Sequence, residues 1–227
     1  GETVTITAVP NDGYVLKTLT VTDKSGDTTK VSSKGNDKYT FTMPNGPVTV
    51  KAVFARENTE AETVFTDVPK NFWAYNEISW ALEKGYMKGT TATTFTPSGT
   101  VTRQQVWMVL ARMAGANPAD MAAAKAWAVA NGISDGTNPG SPVTRQQLVA
   151  LLYRFAAKTG HDTNAKADLS SYPDASSVAS YAADAMAWAV ASGIINGTTQ
   201  GTLNPAGPSN RAQFAVMLWR FHQAGVN

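Results

Sequence analysis

Along the first 55 residues, apolar and polar positions alternate one by one: Thr3-Val4-Thr5-Ile6-Thr7, Leu19-Thr20-Val21-Thr22, Tyr39-Thr40-Phe41-Thr42 and Val48-Thr49-Val50-Lys51. A period of two carried by β-branched and aromatic residues predicts strands with one buried face. Pro10-Asn11-Asp12-Gly13, Ser25-Gly26-Asp27, Lys34-Gly35-Asn36-Asp37 and Pro44-Asn45-Gly46-Pro47 separate these runs and supply turns. The expected unit is a small antiparallel β domain of four or five strands over residues 1–57, marginal in size on its own. Residues 58–63 are polar and aperiodic, the composition of a linker.

From residue 64 the period changes to that of helices, and all six Trp lie beyond it. A threefold internal repeat organises this part. Gly85-Tyr86-Met87-Lys88-Gly89, Gly132-Ile133-Ser134-Asp135-Gly136 and Gly193-Ile194-Ile195-Asn196-Gly197 share a Gly-x-x-x-Gly frame, each with a Trp five residues upstream (Trp80, Trp127, Trp188). Downstream, Thr102-Arg103-Gln104-Gln105, Thr144-Arg145-Gln146-Gln147 and Asn210-Arg211-Ala212-Gln213 open helices whose apolar positions coincide: Val106, Leu148 and Phe214, then Leu110, Leu152 and Leu218. Each such helix carries one apolar stripe at i, i+3, i+4, i+7. A single stripe has nothing to bury against within its own unit, so the three copies are expected to close into a pseudo-threefold bundle. The copies run over about 64–115, 116–160 and 168–225, with first helices at 72–84, 121–131 and 178–192 and the three upstream Trp in the core.

The starts of the second helices carry the chemistry. Thr-x-x-Gln, and Asn-x-x-Gln in the third copy, is a capping box. Capping does not explain Arg103, Arg145 and Arg211 at the first helical position, where the positive end of the helix disfavours a cation by about 0.3–1 kcal/mol. Two readings stay open. Free amide hydrogens plus an adjacent guanidinium form a site for a carboxylate or phosphate, or each Arg ties down a neighbouring loop. Arg112, Arg154 and Arg220, nine residues further on, sit near helix C-termini and read as structural.

Composition narrows the partners. Charged residues make up 16% of the chain against about 25% in typical globular proteins, and the net charge is +2 without any basic run. No long-range field for nucleic acid or a membrane surface follows from that. The absence of Cys excludes a disulfide framework, a thiolate metal site and a Cys nucleophile. No apolar stretch reaches the 18 or so residues of a transmembrane helix. The chain starts without Met or an export-type segment, so Gly1 reads as a cut inside a longer polypeptide. His161 and His222 are the only histidines and no acidic pair recurs with the repeat, so neither an enzyme, a metal site nor a cofactor is expected, although Asp67 and Glu77 are a carboxylate pair of the kind that flanks a sugar.

Phe65-Thr66-Asp67-Val68, Phe72-Trp73-Ala74, the Gly-x-x-x-Gly frame, Phe95-Thr96-Pro97 and the Thr-Arg helix start together resemble the S-layer homology domain in a triple array over about 64–225. Residues 1–55, with Thr-Val-Thr-Ile-Thr-Ala-Val-Pro-Asn-Asp-Gly-Tyr and Tyr-Thr-Phe-Thr-Met-Pro, resemble the divergent internalin-type β repeats of bacterial surface proteins. The fold implied is α+β and multidomain: the small β domain followed by a mostly α, pseudo-threefold spindle with a central helical bundle and three prongs. The function implied is non-covalent anchoring of a secreted surface protein in the cell wall or S-layer. Grooves between prongs would hold a secondary cell-wall polysaccharide bearing pyruvate ketals on N-acetylmannosamine, and one monomer would suffice. The resemblance places the pyruvyl carboxylate on Arg103, Arg145 and Arg211 and the close backbone approach to sugar at Gly89, Gly136 and Gly197. For these glycines, a helix stop with positive φ is an equal alternative. Trp73 is a candidate for stacking on a sugar face, and Asp67 of the opening motif completes the candidate set.

The sequence departs from the family pattern in ways that rank these residues. The motif's final Glu is Gln in all three copies (Gln105, Gln147, Gln213), which makes the sites more positive. Copy two lacks the opening Phe-x-Asp-Val and has a shortened stretch between Gly136 and Arg145, so a groove lined by its prong is a candidate for inactivity. The expected order is Arg103, Arg211, Arg145. A rival reading makes the spindle a structural protein–protein assembly module without glycan binding.

Overall fold

The computed structural model describes residues 1–11, 14–56 and 65–224. It divides into two compact units, 1–60 and 61–227. The linker expected at 58–63, and part of the Asn11-Asp12-Gly13 turn, lie outside the described residues.

Among its described residues the first unit has six strands rather than four or five: β1 (Thr3–Thr7), β2 (Tyr14–Asp23), β3 (Thr28–Thr29), β4 (Ser32–Gly35), β5 (Lys38–Thr42) and β6 (Val48–Arg56). They form two three-stranded antiparallel sheets, β1-β5-β4 and β3-β2-β6. Val4 faces Phe41 across the first sheet and Val21 faces Val50 across the second. The alternation survives a bulge in β2: the register shifts between Leu16 and Thr18, so Lys17 is the extra residue and Leu16, Leu19 and Val21 stay inward. Asn36 and Asp37 both take positive φ (50° and 57°), the turn that matches strand twist between β4 and β5. Buried apolar side chains in this unit are few, among them Ala8, Val21 and Phe41.

Among its described residues the second unit holds six α-helices: α1 (Tyr75–Glu83), α2 (Arg103–Met113), α3 (Met121–Ala130), α4 (Arg145–Lys158), α5 (Ala183–Ala191) and α6 (Arg211–Gln223). The first helices are shorter than expected. Pro69–Tyr75 is taken up by tight turns before α1, and 3-10 turns at 175–177 and 180–182 precede α5. Each ends alike, with Gly85, Gly132 or Gly193 at φ near +70° and the following amide returning to the carbonyl of Ala81, Ala128 or Ala189.

The stripes of α2, α4 and α6 form the core: Val106, Leu110, Leu148, Leu152, Phe214 and Leu218 have no exposed surface. Closure crosses copies. The first helix of each copy packs on the second helix of the copy before it: α3 on α2, α5 on α4, and α1 on α6 to shut the ring. Trp80 meets Trp219 edge-on at 5.4 Å, and Trp188 meets Tyr153 at 5.5 Å. The matching position on α2 is Ala111, so Trp127 has no large aromatic at that position and is only half-buried, unlike its two counterparts. At the pseudo-threefold axis the strandlets before the second helices bond in a triangle. Val143 N–H donates to Val101 O (2.8 Å), Val101 to Ser209 (3.0 Å) and Ser209 to Val143 (3.0 Å).

Candidate functional site

The amide hydrogens at the starts of α2, α4 and α6 are not free. Arg103, Arg145 and Arg211 donate their backbone N–H to Ser141, Gly207 and Gly99 carbonyls, and the next residues donate to Pro139, Pro205 and Pro97. Gln147 and Gln213 amides go to the caps Thr144 and Asn210, and Gln105 Oε1 accepts from the Thr102 amide. The expectation of a backbone anion site at these helix ends is therefore corrected: loop carbonyls take the first two amides of each helix.

Those carbonyls also explain the cation. Each guanidinium donates Nε–H to the residue two before a loop proline: Arg103 to Thr137 O (2.9 Å), Arg145 to Leu203 O (2.8 Å) and Arg211 to Phe95 O (2.7 Å). In every case the loop belongs to the next copy around the ring. The loop-tying reading holds for Nε; the remaining N–H groups distinguish the three sites.

Arg145 is 6% exposed and forms one wall of a groove of about 450 Å³ together with Trp73, the 194–200 loop and Arg220. Among the described residues its Nη groups have no hydrogen-bond partner and no carboxylate lies within ion-pair distance. Burial holds it below the usual guanidinium range, Arg220 pushes the same way, and Asp174 opposes them from a distance. Arg211 is 9% exposed in a groove of about 380 Å³ with Lys88, Gly89, Gln105, Arg112 and Met121. Its Nη2 donates to Lys88 O at 2.6 Å, and its guanidinium lies 4.3 Å from the Phe95 ring centroid. Burial depresses this group too, with Asp67 as the opposing charge.

Arg103 differs. Its Nη2 is held by Ser134 Oγ (3.1 Å) and Asp135 Oδ1 (2.9 Å). Thr137 donates both its backbone amide and its hydroxyl to the same Oδ1, which with the Arg103 charge keeps the Asp135 carboxyl below its ordinary value. Among the described residues, Arg103, expected first in the order Arg103, Arg211, Arg145, is the one of the three whose guanidinium already holds a carboxylate. Because an arginine meets the loop of the following copy, Arg103 lies against the shortened prong of copy two and Arg145 against the longer loop of copy three.

The other candidates divide. Asp67 accepts the amides of Phe95 and Thr96 (2.9 and 2.7 Å), as Asp174 accepts those of Leu203 and Asn204 (2.8 and 2.7 Å), so both clamp loops of their own copies. Gly89 is not at positive φ; a Cβ there would lie 2.5 Å from the Phe65 ring. Gly136 and Gly197 have φ of +73° and +80°, with Val129 and Tyr172 against them. The close approaches the structure shows at these glycines are to protein side chains and, at Gly89 and Gly197, also to the Thr91 and Thr202 carbonyls, while these two glycines line the two grooves. Trp73 is 61% exposed at the wall of the Arg145 groove. Tyr181, seven residues before Trp188 as Trp73 is before Trp80, feels the charges of Arg103 and Arg154.

Sequence reasoning missed Arg112 and Arg220 as groove residues. Each of Arg112, Arg154 and Arg220 donates Nη1–H to the first loop residue of its own copy, Tyr86, Ile133 or Ile194. Their recurrence nine residues after the first Arg was the available signal. Among the described residues no cluster of His, Asp or Glu could hold a metal, and no helix is long and apolar enough to cross a membrane.

Residues 64–106 and 171–215 match the S-layer homology domain family, and residues 1–58 match the divergent InlB B-repeat domain family. The second copy lies between the two former matches and is recognised by geometry. Similar proteins include an endoglucanase of Bacillus sp. (strain KSM-635), 28% identical over 69% of this chain and 19% of its own length. A surface-layer 125 kDa protein of Lysinibacillus sphaericus is 30% identical over 42% of this chain and 10% of its own. An amylopullulanase of Thermoanaerobacterium thermosulfurigenes is 24% identical over 70% and 10%. The chain thus spans a fifth or less of each of these relatives.

Proposed function

This chain carries S-layer homology domains behind a divergent InlB B-repeat domain, and on that premise we propose that it anchors a surface protein by gripping an acidic cell-wall polysaccharide in the Arg145 and Arg211 grooves. Such domains are typical of cell-wall anchoring, and the chain belongs to a cell-wall-associated bacterial surface protein. The observation that carries the finer reading is Arg145. A buried cation without a paired carboxylate is costly, and the cost is recovered when a ligand supplies one. Its free Nη groups face a groove long enough for a sugar, and exposed Trp73 offers the flat apolar surface that sugar faces stack on.

The favoured ligand is a polymer with pyruvate ketals on N-acetylmannosamine: one carboxylate per unit meets one guanidinium, and the ring lies against Trp73. Gln105 and Gln213 line the grooves with Oε1 already engaged at the helix caps, which leaves their NH2 groups as donors to an anion. Each groove is completed within one chain, so a monomer is sufficient. Sacculi carrying the pyruvylated polymer should retain the 227-residue chain, and enzymatically depyruvylated sacculi should release it. Equal retention on both overturns this reading in favour of protein–protein assembly.

A further inference from the structure

We infer that one recurring position, the residue before the second glycine of each loop, decides which grooves accept an acid: Lys88 enhances, Asn196 permits and Asp135 closes. The inference rests on the acid-binding reading above and adds to it a residue that sets the number of working sites.

The three positions are equivalent in the Gly-x-x-x-Gly frame, and each meets the cation of the preceding copy: Asp135 pairs with Arg103, the Lys88 carbonyl accepts from Arg211, and Asn196 lines the groove of Arg145. Asp135 stands on the solvent side of Arg103. Its side chain is 64% exposed and that of Arg103 14%, with the two in direct contact at 2.9 Å. The nitrogen it occupies, Nη2, is the one that in Arg211 reaches only the backbone carbonyl of Lys88. Asp135 is also fixed in place, because Thr137 donates twice to the same oxygen and Ser134 Oγ lies 3.4 Å away. A carboxylate tethered to the site at that distance outcompetes a ligand carboxylate arriving from solution. The position before it follows the same division: Ser134 bonds Arg103, while its counterparts Met87 and Ile195 are buried apolar residues.

Asn196 carries no charge, so it leaves the Arg145 Nη groups to a ligand. Lys88 lines the groove of Arg211 and Arg112 and raises its positive charge. Acid affinity therefore falls in the order Arg211 groove, Arg145 groove, Arg103 groove.

The test is isothermal titration of the 227-residue chain with the methyl glycoside of pyruvylated N-acetylmannosamine. Wild type should bind two equivalents, Asp135→Asn three, and Asn196→Asp one, the lost site weakening about tenfold or more. Circular dichroism melting should place both variants within a few degrees of wild type. Three equivalents in the wild type, or two in a folded Asp135→Asn chain, overturns the inference and leaves the proposed function standing. Asn196→Asp adds a charge at the expense of the bonds that the Asn196 amide donates to the Ile195 and Gly193 carbonyls (3.1 and 3.2 Å), so two unaltered equivalents in a folded Asn196→Asp chain overturn it even if Asp135→Asn fails to fold. No binding by the wild type overturns the proposed function and this inference with it.

Discussion

The amide of Ser209 donates to the carbonyl of Val143 at 3.0 Å on the pseudo-threefold axis, yet the Ser209 hydroxyl, sealed from solvent, has no hydrogen-bond partner among the described residues. Val101 and Val143 hold the other two corners with apolar side chains. A buried unsatisfied hydroxyl costs about 1–3 kcal/mol. Ser209→Ala should therefore stabilise the chain by about 1 kcal/mol or more, read as a higher urea midpoint with unchanged slope. A lower midpoint would show that the hydroxyl contributes a bond.

Arg145→Gln should separate binding from folding. The substitution removes one internal charge-assisted hydrogen bond, to Leu203 O, worth about 1.5–3 kcal/mol, and also removes a buried charge. These oppose each other, so unfolding free energy should stay within about 1 kcal/mol of wild type while retention on pyruvylated sacculi drops. Destabilisation by several kcal/mol with retention intact would make Arg145 a structural residue.

Asp67→Ala and Asp174→Ala should behave the opposite way. Each removes a carboxylate that accepts two consecutive loop amides. Charge-assisted bonds are worth about 1.5–3 kcal/mol each, and their partial exposure places the expected loss at about 2–4 kcal/mol per variant. Chemical denaturation checks the magnitude. Near-neutral values would mean the loops are held by their other bonds.

Gly89→Ala should destabilise more than Gly85→Ala. At Gly85 the cost is a left-handed φ of +70° with open space around the new methyl, about 1–2 kcal/mol. At Gly89 the methyl meets the Phe65 ring at 2.5 Å and the Thr91 carbonyl at 2.6 Å, so backbone must move. Melting temperatures of the two variants decide the order.

The Asp135 carboxyl should titrate below its ordinary value of 3.8, chiefly because of the Thr137 amide and then the Thr137 hydroxyl, with Arg103 a smaller cause. Its folded pKa is depressed, so the stabilising effect is fully present above 3.8 and fades as the pH falls through the folded value. Carbon-detected NMR of the side chain should show the midpoint rising in Thr137→Val by more than in Arg103→Gln. The reverse order would make the ion pair the main cause.

Much of this architecture is legible in the chain itself. Alternation placed the cores of β1, β2, β5 and β6, because a half-buried strand writes its two faces into the sequence at every step. Capping boxes located the starts of α2, α4 and α6. The starts of α1 and α5 were less readable, since Phe72-Trp73 and Val178 are apolar yet sit in turns whose hydrogen bonds leave no pattern. What spacing within a copy cannot reveal is which copy's loop an arginine meets. That depends on α1 closing on α6 and α3 on α2, a property of the whole ring. Hence spacing within copy two places Arg145 last, although the loop it meets belongs to copy three. The engagement of the first helix-end amides was equally hidden, because the acceptors Ser141, Gly207 and Gly99 come from neighbouring copies.

The packing of α1 on α6 has a consequence for how such a module varies through time. An open array of stacked repeats gains or loses a unit at either end and remains folded. Here the last unit supplies the surface that shelters the first, and the axial triangle has a corner for each, so duplication of one unit or loss of one leaves an unmatched seam. Diversity is then carried by loop lengths and single side chains around a fixed count of three.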